Sequence, residues 1–128
     1  MSEKTRGQLE AEICDAVIKF EKEYMGRGPL ETKAYLLNDI ILVRLKNVLT
    51  QAELILADTP DGRDGRDLIK RLRTSLIEQG RPLLEEAVEK ITGVRVVSLH
   101  TDISTITGER VILFTLDSQP ITGGKRRG

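Results

Sequence analysis

Residues 40–45 read I-I-L-V-R-L, and every position through Val43 is apolar. Side chains alternate across a strand, so a strand built this way is apolar on both faces, and such strands are usually covered on both sides. Asn38-Asp39 precede the run. Both residue types tolerate the positive φ angles of a tight connection, so Thr32–Asn38 and Ile40–Lys46 are predicted to pair as a hairpin. A second pair of strands, Val94–Asp102 and Glu109–Asp117, is joined by a turn containing Gly108.

Helical periodicity fills the rest. Leu9, Ile13, Val17 and Phe20 recur at three- and four-residue spacing between Thr5 and Glu23, and Y-M-G-R-G-P ends that helix. T-Q-A-E at Thr50–Glu53 is a capping box, with hydroxyl and carboxylate each satisfying the other's backbone N–H, and it opens a short helix to about Ala57. T-P-D-G-R-D-G follows as a polar loop. From Arg66 to Ile91 a stripe of Leu68, Leu72, Leu76, Leu83, Ala87 and Ile91 stays in phase across Pro82, which predicts a kinked helix rather than a broken one. Gly93 is placed to cap it. The expected fold is α+β: two β-hairpins in a four-stranded antiparallel sheet with helices packed on a face, in the order α-β-β-α-α-β-β. Residues 1–117 make one domain of this kind, and 118–128 a flexible basic tail.

Composition narrows function by exclusion. Twenty acidic and twenty basic side chains in 128 residues cancel, and aromatics make up 3%. Neither a polyanion-binding field nor a stacking platform for bases is present, so no dedicated nucleic-acid binding is expected. No apolar run reaches the ~20 residues of a bilayer span. No signal-peptide core follows the N-terminus, and Cys14 is the one cysteine, so a cytoplasmic setting is expected. One histidine and one cysteine are poor material for a metal site, and neither metal nor cofactor is expected.

S-L-H-T-D at 98–102 places Ser98, His100 and Asp102 at alternate positions, the residue types of a hydrolytic triad. Neighbours on one face of a strand lie ~6.6 Å apart, whereas a nucleophile and its base must approach to ~3 Å. The expectation is a polar strand face, and no catalytic residues. G-R-G-P at 26–29 lacks a Walker lysine and a preceding strand. It reads as a connection whose Arg27 is free to meet an anion. R-D-L-I-K-R-L-R at 66–73 reads as a solvated basic face, or more sharply as a contact for an acidic partner or an anionic membrane surface.

Four stretches in this order form a recognisable pattern. They are G-R-G-P, I-I-L-V-R-L-K-N-V-L-T-Q-A-E, G-R-P-L-L-E-E-A-V-E-K-I-T-G-V and S-L-H-T-D-I-S-T-I-T-G-E-R-V-I-L-F-T-L-D. The set resembles the MpsC family, named for a sodium-translocating system that generates membrane potential, over Gly7–Asp117. The resemblance implies an accessory or regulatory role beside a membrane system for cation flux and inorganic-carbon uptake, with a membrane protein as partner. It carries no catalytic residues. The positions it marks are Gly26, Gly28, Pro29, Arg44, Arg81, Pro82, Gly93, His100, Asp102, Thr107, Gly108 and Arg110. Arg27, Arg44, Arg81, His100, Asp102, Thr107 and Arg110 are the candidates for ligand or partner contact.

Two functional readings follow. The first is a non-enzymatic module that forms a homodimer, because the doubly apolar sheet needs cover on a second face. The second is a binding domain for a small anion or nucleotide that uses Arg44, Arg81, His100 and Arg110. An ion pair between Arg110 and Asp102 across the last turn is also expected.

Overall fold

The computed structural model describes residues 4–26, 28–58 and 62–123. The elements are α1 (Arg6–Met25), β1 (Glu31–Leu37), β2 (Ile40–Lys46), α2 (Gln51–Ala57), α3 (Gly62–Thr92), β3 (Val96–Ile103) and β4 (Arg110–Leu116). The expected order is observed. All pairings are antiparallel, and the strands lie in the order β1-β2-β4-β3, so the two hairpins join through β2 and β4.

Local signals account for the boundaries. Thr5 caps α1, with Gln8 reaching back to its N–H, and Gly26 ends the helix in the left-handed region. Thr50 and Glu53 form the capping box at α2. Asn38 takes φ 57° in the first hairpin turn. Gly108 takes φ 76° in the second, and its carbonyl accepts from the N–H of Val48. This last bond ties the two hairpins together beyond the ladder.

One face of the sheet holds the core. Ala34, Leu36, Ile41, Val43, Leu45, Leu99, Ile112, Phe114 and Leu116 point inward and are buried, against Leu9, Ile13 and Val17 of α1 and Ile77, Leu84 and Val88 of α3. The other face carries no layer of the chain's own. Ile40 and Leu42 lie on it, partly exposed. The doubly apolar β2 is thus covered on one side within the chain, not on both.

Helix α3 differs from the sequence reading in two ways. It starts at Gly62, four residues before Arg66, and takes up much of the anticipated loop; residues 59–61 lie outside the described residues. A Cβ on Gly65 would stand 2.3 Å from the Leu56 carbonyl oxygen, so glycine there lets α3 run close beneath α2. The helix then continues through Pro82 to Thr92. Its buried side is also one residue out of phase with the expected stripe. Ile69, Arg73, Ile77, Leu84 and Val88 face the core, while Leu68, Leu72 and Leu83 are half exposed. Gly80 is in that buried row, where the ring of Phe20 stacks on Tyr24 and fills the place of a side chain. Beyond β4, Pro120 is buried and the Gly123 N–H donates to the Lys4 carbonyl, so the start of the expected flexible tail is docked. Lys125, Arg126 and Arg127 lie outside the described residues.

Candidate functional site

The structure does not gather the sequence candidates into one place. Arg27 lies outside the described residues. Arg81 sits on α3 and bonds Glu85 at 2.6 Å, with Glu78 at 3.7 Å. Thr107 is a turn residue whose hydroxyl accepts from the Glu109 N–H. Arg44 is exposed on the open face of the sheet and donates to Glu109. His100 is on the same open face, whereas Arg110 points to the covered one. Arg44, Arg81, His100 and Arg110 therefore cannot close around one anion.

The open face has an ordered pattern across the strands. One row reads Tyr35, Leu42, Leu113, His100; the row on one side of it reads Leu37, Ile40, Thr115, Ser98, and on the other Lys33, Arg44, Val111, Asp102. The centre is apolar and the ends are polar. Ser98 and His100 correct the sequence argument: their side chains lean together along the strand, and the hydroxyl oxygen lies 3.3 Å from Nε2. Backbone spacing alone therefore did not keep them apart. Asp102 does not complete a triad. Its carboxylate accepts from the Ile103 N–H and stands 3.5 Å from Lys70, turned around the sheet edge away from the imidazole.

The expected pair between Arg110 and Asp102 is replaced by a buried network that the sequence reading missed. Glu21 of α1, Arg73 of α3 and Arg110 of β4 are 0%, 2% and 2% exposed. Arg73 donates Nε and Nη2 to the carboxylate of Glu53 at 2.9 and 2.6 Å, and Nη2 also to the Val48 carbonyl at 2.8 Å. The basic run 66–73 thus ends not on a solvated face but inside the core. Glu21 bridges the two guanidinium groups loosely, at 3.5 Å to Arg73 and 3.6 Å to Arg110. Arg110 donates Nε to Thr101. Glu21 Oε2 and Arg110 Nη1 are buried without hydrogen-bond partners among the described residues.

The electrostatics follow from these distances. Burial raises the Glu21 carboxyl above its ordinary range, because the arginines opposing that shift stand too far off for good charge-assisted bonds. Burial would raise Glu53 too, but the fork from Arg73 and the N–H of Thr50 outweigh it and hold it low. Burial likewise lowers Arg110. Cys14 is partly buried, its thiol donates toward the Thr32 carbonyl, and burial pushes its pKa up, so it is poorly suited to nucleophilic work. Among the described residues, no three His, Cys, Asp or Glu groups gather as metal ligands, and no helix is long and apolar enough to cross a membrane.

Sequence comparison settles the family. The family model described as the Na+-translocating membrane potential-generating system (MpsC) matches residues 5–118, from the N-cap of α1 to just past β4. The chain belongs to the MpsC family. The MpsC chain is also 41% identical over 102 residues, 80% of each protein, to a Bacillus subtilis (strain 168) relative named "Uncharacterized protein YbcI". No solved structure gives a significant match to it. The family's printed description links it by name to a membrane-potential system. The residues that would carry such a role have to be argued from the geometry above.

Proposed function

We propose that this MpsC chain is a non-catalytic accessory or regulatory module that dimerises through the open face of its sheet. In this reading it works in the cytoplasm beside a membrane partner that handles cations and inorganic carbon. One observation carries the dimer: the helices cover one face only, and the other has an apolar centre with polar ends. A two-fold axis parallel to the strands would set β1 over β3 and β2 over β4 of the second copy. Each row then meets itself reversed. Leu42 faces Leu113, Tyr35 faces His100, and Lys33 faces Asp102, so the apolar centre is covered and opposite charges meet at the rim.

Size sets the strength. Four strands of about seven residues span ~19 by ~23 Å, or roughly 900 Å² for two copies. That is below the ~1,200 Å² where stable interfaces begin, so the dimer should form reversibly at micromolar concentrations. The family description supports the membrane link. The incomplete Ser98–His100–Asp102 arrangement supports a non-enzyme, since the imidazole has no carboxylate to orient it.

Light scattering after size exclusion, from ~5 to ~200 μM, tests the reading. The mass should rise toward twice that of the chain, and Leu113→Lys should stay monomeric with an unchanged melting temperature. A monomer at every concentration refutes the dimer. So does a dimer that survives Leu113→Lys but is lost in Leu72→Lys, which would place the contact on the exposed leucines of α3.

A further inference from the structure

A second site lies on the covered side of the sheet, where β3 meets α3. A cavity of about 80 Å³ is lined by Lys70, Arg73 and Thr74 of α3 and by Thr101, Asp102 and Arg110 of the second hairpin. At ~30 Å³ per water it holds the equivalent of two or three waters. Three cations and two hydroxyls converge on this space. Arg73 has its donors committed to Glu53, Val48 and Glu21, so it contributes charge more than hydrogen bonds. Arg110 is different: it is 2% exposed, and its Nη1 makes no hydrogen bond among the described residues. A buried guanidinium N–H left unpaired is costly, and such a group lining a polar cavity points to a ligand that accepts from it. At the mouth, Lys70 is half exposed and holds Asp102 only at 3.5 Å.

We propose that this cavity binds a small oxyanion of sulfate or phosphate type, between the Arg110 guanidinium inside and the Lys70 ammonium at the rim, with Thr74 and Thr101 beside it. The site is independent of the open face and of the dimer.

Charge counting sets how it works. Lys70, Arg73 and Arg110 are balanced by Glu21, Glu53 and Asp102, so an anion enters a neutral group and binds weakly, on the order of millimolar. Two changes admit it. Asp102, whose side chain is largely exposed, swings off Lys70 into solvent. Glu21 takes up a proton; it faces Arg110 from β4, Arg73 from α3 and Glu53 from α2, and burial already favours its neutral form. Anion binding is therefore coupled to proton uptake.

NMR titration of the amides with sodium sulfate, against sodium chloride at equal ionic strength, tests this; sulfate keeps its charge from pH ~5 to ~8. Saturable shifts are expected at residues 70–74 and 101–103, with affinity rising as pH falls. Glu21→Gln removes the charge that opposes the anion, and should bind about ten-fold tighter at pH ~7.5 with little remaining pH dependence. Lys70→Ala, on the surface, should weaken binding about five-fold. AMP that competes with sulfate would identify a phosphomonoester as the source of the anion, and AMP that does not, a free anion; both keep the site. Shifts from sulfate no larger than from chloride overturn the proposal. So does saturable binding that Lys70→Ala leaves unchanged, which decides the matter even if Glu21→Gln fails to fold.

Discussion

Replacing Arg73 with methionine isolates the buried network from the packing around it. Methionine fills much of the arginine stem's volume, so the cavity term is small. What is lost is the fork to Glu53, the bond to the Val48 carbonyl and half of the charge facing Glu21. Removing one partner of a buried pair costs ~3–5 kcal/mol, because the remaining charge has no compensation. An orphaned buried carbonyl adds ~1–3 kcal/mol. Glu53 sits at a helix start and can relax toward water, so we take the lower half of the combined range, about 5 kcal/mol. For a chain of this length that lowers the melting temperature by roughly 15–20 °C. Urea denaturation followed by far-UV circular dichroism measures it: the midpoint should fall while the slope stays the same. Adding Glu53→Gln to Arg73→Met removes one stranded carboxylate and should recover ~2 kcal/mol. A loss under ~1 kcal/mol for Arg73→Met would refute the reasoning, since an uncompensated carboxylate in a dry core cannot be that cheap.

The two carboxylates of the network should give opposite pH signatures. Glu53 is held below its ordinary 4.5, so its contribution is present above that value and is lost as pH falls through the folded value; Glu53→Gln should flatten the acid limb of a stability profile. Glu21 is raised above 4.5, so its contribution is full below that value and is lost as pH rises through the folded one; Glu21→Gln should flatten the neutral limb. A Glu21→Gln profile with the wild-type slope above 4.5 would contradict the assignment. Gly80→Ala would put a methyl 2.4 Å from Cε1 of the stacked Phe20. Overpacking of ~1–3 kcal/mol should exceed the ~1 kcal/mol gained in helix propensity, giving a net loss of ~1–2 kcal/mol. Gly7→Ala, where the nearest atom is 4.0 Å away, should stabilise by a few tenths to ~1 kcal/mol instead.

Much of the fold was legible because local signals agreed with one another. The capping box at Thr50, the Asn38 turn and the span of β2 are where the residues place them. The buried network was harder to see, for a reason visible in retrospect. Glu21 continues the four-residue spacing of Leu9, Ile13 and Val17. Arg73 stands midway between Ile69 and Ile77. Arg110 begins the alternation that runs through Ile112, Phe114 and Leu116. Each is a charge in phase with an apolar period, and three of them on three elements are a signal that they meet. Arg73 also broke the true buried row of α3 and let the parallel row of Leu68, Leu72 and Leu83 look like the core side. Side-chain lean was not legible at all: strand geometry gives the Cβ spacing but not the rotamers that bring Ser98 to His100.

The edges of the sheet bear on what this protein can assemble into. β1 ends the sheet on one side with Glu31 and Lys33 in close association. β3 ends it on the other with a bulge between Val96 and Ser98, followed by the polar His100 and Asp102. Charge and irregularity of this kind discourage a further strand from adding at either border. Growth by edge addition has no natural terminus and leads to fibres, whereas a single flat face used by two copies is consumed once they meet. A chain with guarded borders and one bare face is thus built to stop at a pair.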